Sequence, residues 1–453
     1  MKRLFRAAAV ILAALSMQDV CCAQFYKDVF QDSGINITSR KDLPAVRMLG
    51  LTMETYYSAN HNPMELSAKD TLEQTAKMVT SDLDYNGCLL YPDGAPRFRM
   101  IYENGGSAGA HGRSLTEQGL ENIRQFYYNG GSYVGSCAGA FISSKHFTTK
   151  MDSIPEGERK EYLHIYPALT KETELEKGAD GIFPYTDHSI EPGSPLLRYY
   201  DFGGDMKVAN VLHNGGAFLF DDDPRFFAPG TEILTRYLYD KDDKLVAEGK
   251  YPLTGKVSTW AYKADEKSGR LVACGSHPEI ETEGERMEWF ASFLLYAMDG
   301  NGKPQVKAQL ANGVERRMVK DTKDNDPAFT KIGDKQYHHF TVNVPKKAKN
   351  VKVTLSCPVE GIDLYLSAKK DDFAFIDGAK YKDVTFGGNK EMSIDNSWVK
   401  VKGKKQPKST LWYIGVQCAT TVTEVATDYG VAYTGKTEVL NGIPYTIKVT
   451  WDE

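Results

Sequence analysis

Residues 130–144 are GGSYVGSCAGAFISS, and the reading of this stretch decides the fold. Gly130-Gly131 stops a preceding helix, Ser132–Gly135 has the composition of a short buried strand, and the small residues after Cys137 suit the first turn of a new helix. A thiol placed at such a strand-to-helix turn needs small neighbours, because the backbone there is tight and bulky side chains clash. The start of a helix also favours negative charge at that point, and the amide of Ala138 would face a developing oxyanion. By itself, a cysteine between Gly135 and Gly139 reads first as a buried thiol on a tight turn.

A nucleophilic thiol needs a base, and the base needs a partner that orients it. Downstream, Cys274-Gly-Ser-His277-Pro-Glu279 follows an apolar strand-like run, Leu271–Cys274. In extended chain His277 and Glu279 project to one side, and Pro278 holds the stretch away from helical geometry. From about residue 45 to 299, short apolar runs alternate with helical patterns. Glu73–Leu83 is helix-like, and Ser114-Leu-Thr-Glu117 is a capping box whose helix carries Leu120, Ile123 and Tyr127 on one face. Lys207–Leu212 and Val257–Tyr262 have the texture of strands, and Trp289–Met298 has that of a closing helix. These features predict an α/β domain with a mostly parallel sheet flanked by helices, extending to about residue 299.

With both motifs in view, GSCAG followed much later by SHPE resembles the class I glutamine amidotransferase-like fold. The longer string GGSYVGSCAGAF resembles, more narrowly, the domain named for the N-terminus of biotin-protein ligases. The resemblance covers roughly residues 45–299. It implies Cys137 as nucleophile, His277 as base and Glu279 as the residue orienting that base. It also implies a second oxyanion donor from an earlier Gly-Gly loop. Here that loop is Asn104-Gly105-Gly106-Ser107, with the amide of Gly106 or Ser107 joining that of Ala138. Gly105 and Gly135 would line the pocket, together with His213, Gly215 and Gly216 of the His213-Asn-Gly-Gly216 turn. Asp221-Asp222-Asp223 matches no metal-loop spacing and is read as a solvated acidic turn. No metal and no cofactor are expected.

After Met298 the texture changes. Asp299–Pro304 is a breaker cluster, and the charged stretch Gln305–Asn325 is read as a helical linker within residues 300–330. From 331 to 453, alternating segments such as FTVNV, VKVTLS, IDLYLS, LWYIGVQC and YTIKVTW predict an antiparallel β-sandwich. Gly361–Leu366 and Trp412–Val416 resemble the bacterial pre-peptidase C-terminal type of sandwich. That resemblance implies an accessory module that contacts a polymer or cell-surface partner.

The chain has 453 residues, a net charge of -5 and no long basic run. Its partners are therefore read as excluding nucleic acid. Its N-terminus, MKRLFRAAAVILAALSMQDVCCAQ, joins a basic start to a short apolar run and small residues. This is the pattern of a signal peptide over 1–23, cleaved before Gln24 and leaving a domain at 24–299. The expected location is periplasmic or extracellular. Gln18-Asp19-Val20 suits lipidation of Cys21 poorly, and no other run is long enough to span a membrane. Cleavage leaves Cys88, Cys137, Cys274, Cys357 and Cys418, an odd number, with Cys357 and Cys418 placed so that they could pair.

Together these readings predict an exported cysteine hydrolase acting on an amide or peptide bond through a thioester. The alternative is a non-catalytic binding protein that keeps the fold and works through its sandwich.

Overall fold

The strand expected at Ser132 lies at the centre of a nine-stranded sheet in the computed structural model, which describes residues 24–32, 43–56, 89–239, 245, 247–321, 326–397, 408–427 and 430–453. The signal-peptide segment, the helix expected at Glu73–Leu83 and Cys88 lie outside these residues. In chain order the first twelve strands are β1 (Lys27–Asp32), β2 (Met53–Tyr56), β3 (Phe98–Glu103), β4 (Ser132–Ser136), β5 (His146–Thr148), β6 (Leu169–Glu172), β7 (Tyr185–Ile190), β8 (Lys207–Leu212), β9 (Ala217–Phe218), β10 (Glu232–Leu238), β11 (Val257–Tyr262) and β12 (Leu271–Cys274). The large sheet has the order β2-β1-β3-β4-β12-β11-β10-β7-β8, and β5, β6 and β9 form a small separate sheet.

From β2 to β12 every pairing is parallel, whereas from β12 to β8 every pairing is antiparallel. The parallel character expected of most of the sheet therefore holds for half of it. The two halves differ in burial for a physical reason. The parallel strands β3, β4 and β12 are buried along their whole length, as strands covered on both faces must be. At the antiparallel end, β7 alternates exposed and buried residues.

Alternation along the strands sends side chains to opposite faces. Met100, Tyr102, Val134 and Val272 pack with Trp289, Phe290 and Phe293 of the closing helix, Gly284–Met298. Ile101 and Tyr133 pack on the other face with Leu120, Ile123 and Phe126 of a helix spanning Ala108–Tyr128. This helix begins before the expected capping box, with Ser107 as its cap. It leaves helical geometry at Thr116 (φ 63°, ψ 173°), so the segment after the break is the one the capping-box pattern announced.

The C-terminal region forms two facing sheets. Its strands are β13 (Val306–Leu310), β14 (Glu315–Met318), β15 (Tyr337–Pro345), β16 (Lys349–Ser356), β17 (Leu364–Lys370), β18 (Tyr381–Asp383), β19 (Lys390–Ile394), β20 (Ser409–Cys418), β21 (Val422–Thr427), β22 (Gly430–Gly435) and β23 (Tyr445–Asp452). One sheet runs β13-β15-β20-β17-β18 and the other β14-β23-β16-β19, with β21-β22 as a hairpin. The expected helical linker is absent, because β13 and β14 arise within it and are edge strands of the sandwich. An edge strand needs only a few inward apolar residues, and its charges guard against edge-to-edge pairing. Leu310 and Met318 are those anchors. Cys357 and Cys418 carry free thiols.

A buried ion pair ties the two regions together. Arg97, at the start of β3, donates from Nε and Nη2 to Asp334 at 3.1 and 2.9 Å, and its guanidinium lies 3.8 Å from the Tyr26 ring centroid. Tyr433 of the hairpin donates to Glu54 of β2 at 2.5 Å. Asp334→Asn would remove the carboxylate that receives two bonds from this buried guanidinium. We expect a loss of about 3–5 kcal/mol in urea unfolding, largely recovered in an Arg97→Met/Asp334→Leu double variant.

Candidate active site

The site is built at the carboxyl ends of β4 and β12, the two central parallel strands. Cys137 follows β4 directly and holds φ 49°, ψ −101°, a left-handed backbone that costs a non-glycine residue about 1–3 kcal/mol. Three backbone bonds keep it there. Its amide donates to the Cys274 carbonyl at 2.8 Å, its carbonyl accepts from Phe141 at 3.1 Å, and the Gly139 amide donates to the Asn104 carbonyl at 3.1 Å. The following six-residue helix, Ala138–Ser143, is wholly buried. A Cβ on Gly139 would lie 2.2 Å from the Glu103 carbonyl oxygen, and one on Gly135 would lie 2.5 Å from the Gly139 carbonyl carbon. The small residues of GSCAG are thus the condition for strand, turn and helix to close on one another.

His277 reaches the same end of the sheet because β12 lies beside β4 in parallel register, with Cys274 opposite Ser136. Nδ1 of His277 lies 3.0 Å from Oε1 of Glu279, and both side chains are fully buried. The two meet through a tight turn at Pro278–Ile280, and not through the extended chain expected from their spacing. Among the described residues, the only group that engages Nε2 of His277 is Cys137, at longer than standard hydrogen-bond geometry. Burial pushes the imidazole pKa down, but the negative charges of Cys137 and Glu279 outweigh it and lift the ring to about 10. A Cβ at Gly105 would stand 2.1 Å from Cε1 of this ring, so Gly105 is the floor on which the imidazole rests.

The other expected residues fall around this core. Gly106 (φ 138°) and Ser107 lead into the helix Ala108–Tyr128, and Ser107 Oγ accepts from the Ala110 amide at 3.4 Å. Ala138 opens its helix, where an amide has no intrahelical acceptor. The Asn104 loop and the elbow are therefore adjacent, as a two-part oxyanion site requires. The 213–216 turn also arrives at the thiol, but through a residue the sequence reading passed over. Cys137 Sγ lies 3.6 Å from the Asn214 carbonyl oxygen. Gly215 has φ 62°, and a Cβ on Gly216 would fall 1.6 Å from the Gly275 carbonyl oxygen.

His213 does not line the pocket as expected. It is fully buried behind the turn, with Nδ1 2.9 Å from Ser276 Oγ and Nε2 2.7 Å from Thr173 Oγ1. Burial, with smaller contributions from His277 and His188, pushes its pKa well down, so the ring is neutral. It fastens the 213–216 turn to Ser276, the residue before His277. A second buried pair, His111 Nδ1 at 3.3 Å from Glu103 Oε2, stands behind the Asn104 loop. Lone residues such as Thr173, Ser276 and Glu103 carried no local signal, since each acts through a partner distant in the chain.

Asp221 and Asp223 are engaged by Arg236 and Arg225. No helix among the described residues is long and apolar enough to cross a membrane.

Two measurements follow from this geometry. In a histidine-selective NMR titration, His277 should stay protonated through neutral pH and release its proton near pH 10. In Cys137→Ala that titration should move down, because one of the two raising charges is gone while burial remains. Gly105→Ala should displace the imidazole and cut Cys137 alkylation at neutral pH by about tenfold or more, with little change in far-UV circular dichroism.

Residues 97–293 match the sequence model of the family described as biotin-protein ligase, N terminal. Among solved structures, the chain is similar to a glutamine amidotransferase at 16% identity over 59% of this chain and 98% of the other, with a TM-score of 0.33. It is also similar to the pre-peptidase C-terminal domain of a collagenase from Bacillus anthracis, at 14% identity over 33% of this chain and 99% of the other, with a TM-score of 0.19. No curated protein matches the chain in sequence. Over residues 97–293 the α/β region is thus similar in sequence to the biotin-protein ligase N-terminal family.

Proposed function

We propose that the protein is an exported cysteine-dependent hydrolase of amide or peptide bonds, working through Cys137, His277 and Glu279. The observation that carries this reading is the orientation of His277. One ring nitrogen is held by Glu279, and the other has no partner among the described residues except Cys137 in its strained elbow, which helps to raise the ring pKa. By contrast His213, as deeply buried, spends both nitrogens on hydroxyl neighbours.

The chemistry follows from these positions. The Cys137 thiolate attacks the carbonyl carbon, and the tetrahedral oxyanion is received by the amide of Ala138 and that of Gly106 or Ser107. His277 donates its Nε2 proton to the departing amine as the C–N bond breaks, leaving a thioester on Cys137. Acylation removes the thiolate charge that helped to raise the ring pKa, so the imidazole becomes a weaker acid-holder and a usable base. It then takes a proton from water, hydroxide attacks the thioester, and the thiolate leaves. Glu279 fixes the tautomer throughout.

Export rests on the N-terminal pattern of basic, apolar and small residues. In an oxidising space with little ATP, hydrolysis suits this machinery better than delivery of ammonia to a synthetase. The sandwich serves as an accessory module for a polymer or surface partner.

A second reading is favoured by one observation: Cys137 is only 4% exposed and His277 is closed to solvent. In that reading the domain is a binding protein that retains an idle site. Acid-quenched mass spectrometry during turnover of a panel of peptides, γ-glutamyl amides and cell-wall fragments separates the two. Hydrolysis predicts an acyl adduct on Cys137 and a loss on the order of 10^4-fold or more in kcat/KM for Cys137→Ala or His277→Ala. Full activity in Cys137→Ala would sink the mechanism.

A further inference from the structure

Two arginines converge just beyond the oxyanion loop. A Cβ at Gly109 would lie 3.0 Å from Nη2 of Arg159 and 3.2 Å from Nη1 of Arg113, so both guanidinium groups crowd onto the first turn of the helix Ala108–Tyr128. Glycine makes the approach possible: a Cβ at Gly112 would fall 1.9 Å from the Glu161 carbonyl oxygen, so the helix meets the 159–161 segment backbone to backbone. Arg159 is held in place. Its amide donates to the Lys145 carbonyl at 3.0 Å, and its guanidinium lies 5.5 and 5.1 Å from the ring centroids of Phe147 and Tyr162. Its Nε stands 3.5 Å from a Glu161 carboxylate oxygen, and its side chain remains 28% exposed. Arg113 is exposed and in no ion pair among the described residues. Two like charges at the positive end of a helix oppose each other and the helix dipole, and the single carboxylate offsets only one of them. Stability does not account for this placement, whereas an anion between the two arginines does.

A third group points to the same ligand. Tyr162 is 1% exposed, and its hydroxyl has no hydrogen-bond partner among the described residues although it is not sealed from solvent. The charge acting most strongly on that hydroxyl is Arg159, ahead of Glu161 and Glu172. A donor is thus left beside the guanidinium for a ligand oxygen.

These groups stand on the rim of the thiol pocket. On one side, Gly109 lies two residues beyond Ser107 of the oxyanion loop. On the other, carboxylate oxygens of Glu176 and Glu172 stand 3.3 and 3.7 Å from a Cβ at Gly215, next to the Asn214 carbonyl that faces Cys137 Sγ. The rim is positive over the helix start and negative over the 213–216 turn, so an anionic group is directed to the arginines. The leaving amine has to reach Nε2 of His277, which lies 3.3 Å from a Cβ at Gly105. From Gly105 the chain passes through Ser107 directly into the turn that carries the two guanidinium groups.

On the hydrolase reading given above, we propose that Arg113, Arg159 and the Tyr162 hydroxyl bind the free carboxylate of the released amine, so that the substrates are amides formed by a C-terminal amino acid. The C–N bond breaks, His277 protonates the departing nitrogen, and water converts the thioester to an acid. The amino acid leaves with its carboxylate on the arginines, which suit a planar anion.

The probes are N-iodoacetylglycine and N-iodoacetylglycinamide, which share one alkylating amide and differ only in the charge of the far end. Their rates of reaction with Cys137 are measured on the full chain by mass spectrometry. We expect the acid to react about tenfold faster than the amide at neutral pH, with the advantage shrinking in added salt. In Arg113→Gln the ratio should fall severalfold with no packing lost, because that side chain is exposed. In Arg113→Gln/Arg159→Gln it should approach one. A ratio near one in the wild type, or a preference kept in both variants, would overturn the carboxylate site and leave the thiol chemistry standing. A Cys137 inert to both reagents would remove the hydrolase reading and this site with it.

Discussion

The site depends on one backbone constraint: residue 137 is held in a left-handed conformation at the end of the central parallel strand. The strain is local, but the forces that hold it come from three chain segments. The Cys274 carbonyl pins the cysteine amide from β12, and the Asn104 carbonyl pins Gly139 from the loop after β3. β3, β4 and β12 are neighbours in the sheet, so the register that pairs Glu103 with Gly135 and Cys274 with Ser136 also sets the elbow. A slip in either pairing would release the strain and carry the thiol away from the imidazole. Burial of these strands on both faces fixes that register.

Burial acts with equal force on three histidines near this point, and their charge states differ. His188 is pushed down to about 3, and His213 also falls well below the usual imidazole value. Both are surrounded by hydroxyls: Ser258 and Thr186 for one, Ser276 and Thr173 for the other. A hydroxyl satisfies a neutral ring without paying for a charged one. His277 is as deeply buried, but its neighbours are Glu279 and Cys137, whose negative charges move its pKa the other way. The difference lies in the counter-charge, not in exposure. The linked hydroxyl–imidazole contacts from Thr173 through His213, Ser276, Thr186 and His188 to Ser258 form a rigid neutral backing for the one ring that carries charge.

What was legible in the sequence follows from how local each signal is. The strands at 132–136, 207–212, 257–262 and 271–274 are short runs with clear stops, buried throughout at 132–136 and 271–274, and the elbow announces itself through the sizes of five consecutive residues. The histidine was legible because Pro278 and Glu279 stand next to it. The direction of pairing was not, since a short apolar strand has the same composition in a parallel or an antiparallel ladder. β13 and β14 were hidden by their charges, because an edge strand with one inward anchor has almost no period to detect. Gly105 and His277 explain each other, but nothing near either residue says so. His213 was misplaced for the same reason: a histidine beside two glycines at a strand end has the same local appearance whether it faces a substrate or a pair of buried hydroxyls.

The junction between the two regions obeys a different logic from the core. A hydrophobic seam would tolerate small slides, whereas Arg97 and Asp334 meet through two directed bonds that have one good geometry. Around them, Tyr26 hydrogen-bonds Glu424 and Tyr433 hydrogen-bonds Glu54, so β1 and β2 are tied to the hairpin of the sandwich by polar contacts. β1 lies between β2 and β3, and Arg97 directly precedes β3. The sandwich is thus fastened to the strands whose register positions the Asn104 loop. A sandwich joined in this way is continuous, through directed polar contacts, with the sheet that holds the cysteine.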